Sequence, residues 1–189
     1  MRAVDERVGL VEALAALRHC VVTRAEAVTG GVSDATIKGL CTDGRWIRVG
    51  RGVYGVVACD GGPFREVATQ LLIAGDEATP VGRTAAALHG GLDLEWDGSV
   101  DIVMPRTSSG RRHRRRTLTA EMVTTAGGLR ATTVLQTVLD LAAELDDVPW
   151  GWVLEAAIRS KHISVSLVGD ALGDSGRIDP AGVARRVLA

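Results

Sequence analysis

Short runs of periodic apolar residues, broken by small residues, predict three helices and a hairpin in the first sixty positions. Over residues 4–17, Val8, Val11, Leu14, Ala15 and Leu17 recur at three- and four-residue steps, with Asp5, Glu6, Arg7 and Glu12 on the other side. That spacing predicts an amphipathic first helix with those five residues facing the core. Thr23 then opens T-R-A-E, where its hydroxyl can accept from the amide three residues on while Glu26 reaches back, a capping box for a short helix ending near Val28. Gly30 and Gly31 supply a turn, and Ser33 caps a third helix from Asp34 to about Thr42. On that helix Ile37, Leu40 and Cys41 share one face, which leaves Ala35, Lys38, Gly39 and Thr42 opposite, flanked by Thr36.

Two short helices around a Gly-containing turn are a helix-turn-helix pattern that also occurs outside DNA-binding proteins. The continuation narrows it. Residues 46–49 and 52–56 read as two strands around Gly50 and Arg51, so a hairpin follows the third helix directly, as a wing does. Ser33, Thr36, Lys38 and Thr42 on the third helix, with Arg45, Arg48 and Arg51 on or beside the wing, are the candidate DNA contacts. Small residues let the helix backbone enter a major groove, and guanidinium groups reach phosphates or the neighbouring minor groove.

Beyond residues 59–63, a Gly- and Pro-containing hinge, the helical pattern resumes at residues 64–74. An Ala-rich helix over residues 84–89 is terminated by Gly90 and Gly91, with His89 expected to cap its final carbonyls. Residues 99–104, 122–125 and 129–132 read as strands, and residues 133–145 and 150–159 as helices, with two further helical segments from Ser164 and from Asp179. Trp150 and Trp152 are expected to anchor packing. The fold class is therefore α+β: an N-terminal winged helix-turn-helix over residues 1–60, then a larger mixed α/β domain over residues 64–189 with a small sheet and a helical C-terminus.

Charge refines this outline. The net charge is −1, from 22 basic and 23 acidic residues, which argues against wholesale electrostatic binding. It averages over unlike segments, because six arginines and no acid lie between Arg106 and Arg116. So many like charges among Ser and Gly predict an exposed, mobile loop in which Arg111, Arg112, Arg114, Arg115 and Arg116 could meet phosphate or an acidic partner. Lys38 and Lys161 are the only lysines, and the arginine-rich usage fits a GC-rich coding sequence, so a solvated loop or hairpin without function is the bland alternative.

Cys20, Cys41 and Cys59 show no C-x-x-C spacing and are expected to be reduced, buried thiols in a cytoplasmic protein. No apolar run reaches the length of a membrane span and the N-terminus lacks a signal-like apolar region, so no membrane partner is expected. The common nucleotide, zinc-protease and serine-hydrolase motifs are missing, the four histidines are scattered, and neither lysine follows an acid as a restriction-like nuclease would require of a partner for Asp101. No catalytic residue, metal or cofactor is expected.

The stretch from Cys20 to Val56, with T-R-A-E, G-x-S-x-x-T-I, G-R-W and R-G-V-Y in order, resembles the N-terminal winged helix of the AbiEi family, antitoxins of type IV toxin–antitoxin pairs. G-R-T-A-A-A-L-H-G-G-L-D-L, S-V-D-I-V-M-P-R and G-L-R-A-T-T-V-L-Q-T-V-L-D-L-A-A-E-L look like its continuation, so the resemblance covers residues 21–145. Val81 departs from the pattern, standing where a Ser is expected to cap the helix of Thr84, and the nuclease-like domain of many longer relatives is not expected here. The resemblance implies an autorepressor that binds repeats in its own promoter and counters a nucleotidyltransferase-like toxin. A stand-alone regulator without a toxin, and an antitoxin that modifies its toxin enzymatically, are the alternatives. Operator sequence and oligomeric state are not encoded in any pattern found.

Overall fold

Helix α1, Arg2–Ala16, buries Val8, Val11 and Ala15 almost completely. Leu14 and Leu17, expected on the same face, are 38% and 81% exposed instead. One helical stripe is only wide enough to cover the first three, and α1 ends before Leu17. The computed structural model describes residues 2–90, 92–105 and 113–175.

The chain then forms β1 (Val21–Thr23), α2 (Arg24–Thr29), α3 (Asp34–Thr42), β2 (Trp46–Gly50) and β3 (Val53–Val56). Both halves of the capping box at Thr23 and Glu26 are made, and Ser33 caps α3 by accepting from the Thr36 N–H. Between the two helices the backbone of Gly30 lies so near α1 that a Cβ there would stand 2.5 Å from Val11 Cγ2, so only glycine lets the turn seat on the first helix. Strand β1, which the sequence pattern did not reveal, adds to the wing hairpin to give an antiparallel sheet of order β1-β3-β2. Beneath it Val22, Ala27, Val32, Ile37, Leu40, Trp46 and Val56 close one apolar core with the buried residues of α1.

Helix α4, Arg65–Ala74, was expected to open the second domain. The chain divides instead into units Met1–Ala78 and Thr79–Ala189, which places α4 with the winged helix. The reason is a polar clamp: the Arg65 guanidinium donates to the carbonyls of Val56 and, at 3.2 Å, Cys59, both at the end of β3 or just beyond it. Close packing adds to it, since a Cβ on Gly50 would overlap Ile73 of α4.

Cys20 and Cys59 correct the expectation of reduced thiols. They form a disulfide with a Cα–Cα separation of 5.7 Å, while Cys41 is free. Antiparallel pairing of β1 with β3 brings together two positions that are 39 residues apart in sequence.

The second unit contains β4 (Thr79–Pro80), α5 (Gly82–His89), β5 (Ile102–Met104), β6 (His113–Arg115), a 3-10 turn at Ala120–Met122, β7 (Val123–Ala126) and β8 (Leu129–Thr132). Helices α6 (Val134–Leu141), α7 (Asp147–Arg159) and α8 (Val165–Ser175) follow. Strands β4, β5 and β6 form one small sheet, and β7 and β8 a hairpin. The core is helical: Val134, Val138, Leu141, Trp150, Val153 and Ala157 pack together. Trp150 is buried with its Nε1 donating to the Val138 carbonyl at 2.9 Å, but Trp152, also expected as an anchor, is 61% exposed because it lies on the outer side of α7. Buried threonines supply polar joints, as Thr84 accepts from the Asp101 N–H and donates to the Ser99 carbonyl, and Thr132 meets Thr137 at 2.9 Å. The helical segment expected from Asp179 lies outside the described residues.

Candidate nucleic-acid interface

The exposed side of α3 carries Ala35, Lys38 and Thr42, with Thr36 and Gly39 half-buried beside them, while Ile37 and Leu40 turn inward. This division is the one the apolar spacing predicts. The wing follows at once: Arg48 pairs with Tyr54 across the hairpin, a bulge at Val49 lets Gly50 pair with Val53, and Arg51 and Gly52 form the tip. Gly52 sits at φ 71°, a left-handed conformation that glycine adopts without strain. Bulges sharpen local twist and re-aim the end of a hairpin.

The seven candidate DNA contacts differ in what their polar groups already do. The Ser33 hydroxyl accepts from the Thr36 N–H at 3.2 Å and lies 2.9 Å from the Thr36 hydroxyl, so both are occupied in capping α3. The Thr42 hydroxyl donates to the Lys38 carbonyl at 3.0 Å. Arg45 donates through Nε and Nη2 to the two carboxylate oxygens of Glu12 of α1, at 2.9 and 2.8 Å, which raises its pKa. Arg48 donates to the Gly50 carbonyl at 3.3 Å, within its own hairpin. Lys38 and Arg51 are exposed and have no ion-pair partner among the described residues. They are the two positive groups of the seven whose donors remain wholly available to a ligand.

The sequence reading missed Arg24. T-R-A-E registers as a capping box, which accounts for its first and last residues and draws no attention to the second. In the fold, the Arg24 N–H donates to the Gly52 carbonyl at the wing tip at 2.7 Å. Its guanidinium grips both carboxylate oxygens of Asp34 in the first turn of α3, Nε to Oδ1 at 2.7 Å. Hydrogen bonding to Arg24, ahead of the opposing effect of burial and the attraction of the same charge, holds the Asp34 carboxyl below the usual carboxylate range. Glu26, facing Arg18, is also held low: burial opposes its charge, but the Thr23 N–H, the Thr23 hydroxyl and Arg18 together outweigh that.

Of the basic run, Arg111 and Arg112 lie outside the described residues. The expected mobile loop is corrected at its far end, where His113, Arg114 and Arg115 form β6 and pair in parallel with β5. A β5 edge with free backbone groups captures the chain there despite its charge. Arg116 is bound to Asp140 of α6, whose Oδ1 also accepts from Gln136. A concave site of about 430 Å³ in the second unit is lined by His89, Glu121, Thr125, Thr133, His162 and Leu167. His89 was expected to cap its own helix; instead its Nε2 lies 2.7 Å from the Thr132 carbonyl on β8. No group of residues that could hold a metal ion occurs among the described residues.

Three helices, a three-stranded sheet and a hairpin directly after the third helix define the first unit as a winged helix-turn-helix. Residues 10–57, about a quarter of the chain, match the family model described as "Transcriptional regulator, AbiEi antitoxin". No curated protein matches the chain. A solved structure, that of the RV2827C protein from Mycobacterium tuberculosis, is similar with 20% identity and a TM-score of 0.45, over 95% of this chain and 79% of that one. No helix among the described residues is long and apolar enough to cross a membrane.

Proposed function

We propose that the protein is a cytoplasmic autorepressor that binds double-stranded repeats in its own promoter through its winged helix. The observation that carries this reading is the pairing of an exposed α3 face bearing Lys38 with a wing tip bearing Arg51, both with their donors unspent. Helix α3 enters the major groove, where Lys38 reaches a base edge or phosphate, and the wing lies along the adjacent backbone with Arg48 and Arg51 against phosphates. Ser33, Thr36, Thr42 and Arg45 act chiefly by fixing the pose of α3 and β2, and their backbone and remaining donors complete the interface. A gel shift on the protein's own promoter, with Lys38→Ala beside the wild type, tests this. Loss of the shifted band in the variant supports the reading, and no shift with the wild type on any promoter fragment overturns it.

The second unit, on this proposal, counters a nucleotidyltransferase-like toxin, as an antitoxin of the AbiEi type would. Support comes from the family match of the first unit. Co-expression with an adjacent nucleotidyltransferase gene tests it: restored growth is expected, and growth arrest unchanged by this protein excludes it. Incubating toxin with the protein and ATP, then weighing the toxin, separates enzymatic modification from direct binding.

A further inference from the structure

The first turn of a recognition helix is a place where a carboxylate is out of keeping with a DNA partner. A helix N-terminus concentrates positive potential and free N–H groups and so attracts phosphate. Asp34 occupies that turn of α3 with its own negative charge, 61% exposed. Unmasked, it would meet the phosphate backbone with like charge.

Arg24 removes that conflict. Its guanidinium holds both Asp34 oxygens, while its main-chain N–H holds the carbonyl of Gly52 at the wing tip. One residue at the start of α2 thereby touches the two elements proposed to contact DNA. The pair is not a stability device, because both side chains are more than half exposed and an exposed ion pair contributes at most about 1 kcal/mol.

We propose that Arg24 is a charge-masking residue of the DNA interface, neutralising Asp34 in the first turn of α3. The inference rests on the DNA-binding reading above. It differs from a direct phosphate contact by Arg24, since under masking the arginine matters only while the carboxylate is there.

Promoter affinity measured for wild type, Arg24→Ala, Asp34→Asn and the double variant decides between them. Arg24→Ala alone should weaken binding by about tenfold or more, the scale of an uncompensated like charge in a charged interface. Asp34→Asn should bind as tightly as wild type or tighter, and the double variant should return to near wild-type affinity. Thermal unfolding of the full-length variants supplies the structural control, with the midpoint of Arg24→Ala expected to stay near that of the wild type. A double variant as weak as Arg24→Ala overturns masking in favour of direct phosphate contact. Asp34→Asn as weak as Arg24→Ala also overturns it, by making Asp34 a base reader. Should Arg24→Ala fold poorly, Asp34→Asn still tests masking, since weak binding by that variant overturns it, and Arg24→Gln with its double variant carries the comparison with direct contact. Wild-type protein that binds no promoter fragment removes the DNA-binding reading itself, a failure visible before any variant is made.

Discussion

Trp46, fully buried at the start of the wing, donates its indole Nε1–H to the carboxylate of Glu12 on α1 at 2.8 Å. The same carboxylate accepts from Nε and Nη2 of Arg45. One acidic side chain thus ties the first helix to the first strand of the hairpin. Replacing Glu12 by Ala leaves the indole N–H of the buried Trp46 without its acceptor, and a buried donor left unsatisfied costs about 1–3 kcal/mol. Urea unfolding followed by Trp fluorescence should show that loss for Glu12→Ala and a smaller one for Glu12→Gln, which keeps an acceptor. Equal stability of Glu12→Ala and wild type would remove this tie from the account of the fold.

Lys38 and Arg51 carry no structural duty among the described residues, so their substitution separates binding from folding. Exposed substitutions away from caps and networks shift stability by within about 0.5 kcal/mol. Lys38→Ala and Arg51→Ala should each weaken promoter binding by about 1–3 kcal/mol where the contact is a well-formed pair of hydrogen bonds. Titration of a labelled promoter duplex at fixed salt reads the effect. Unchanged affinity in both variants would sink the assignment of α3 and the wing as the reading surface.

The helix-turn-helix was legible because its signals are local. Thr23 and Glu26 are three residues apart, Ser33 adjoins its helix, and the Gly30 turn separates two short apolar-periodic runs. The wing was legible for the same reason. Features set by distant pairing were not. Strand β1 has three residues and exists only by bonding to β3, some thirty positions later. The Cys20–Cys59 disulfide follows from that pairing, and the placement of α4 depends on carbonyls that Arg65 finds at the end of β3.

Side-chain roles at the candidate interface show the same limit. Arg45 and Arg51 look alike in sequence, yet Glu12, thirty-three residues before Arg45, engages one and leaves the other. Periodicity correctly placed helices at α1 and α7 but not the width of the covered stripe, hence the exposure of Leu14 and Trp152. An amphipathic pattern states that a face is apolar; what packs on it is decided by chain that comes later.

The basic run now divides into parts with different expected behaviour. Arg116 is engaged by Asp140, whereas Arg114 and Arg115 lie on the edge strand β6. If that edge meets DNA, substituting both by Ser should reduce the slope of log affinity against log salt by roughly 0.9 for each phosphate no longer neutralised. Affinity measured between low and moderate salt gives the slope directly. A slope that does not move would redirect this edge to a protein partner, for which the toxin binding assay is the next measurement.

His89 sets a pH dependence for the second unit. Burial pushes its pKa below the ordinary histidine value, the Thr132 carbonyl partly restores it, and the neighbouring His162 lowers it further. In the unfolded chain the same group titrates near about 6.5. Between the folded and unfolded values the unfolded state binds more protons, so stability rises with pH across that interval and is complete above about 6.5. Acidification below that point should erode stability, in a window well above the one in which Glu26, held low in the fold, loses its contribution on protonation. Chemical denaturation between pH 7.5 and 5.5, with the second unit followed by its own NMR resonances, should show the decline. His89→Gln, whose amide can still donate to the Thr132 carbonyl, should flatten it. An undiminished slope in that variant would move the titrating group elsewhere.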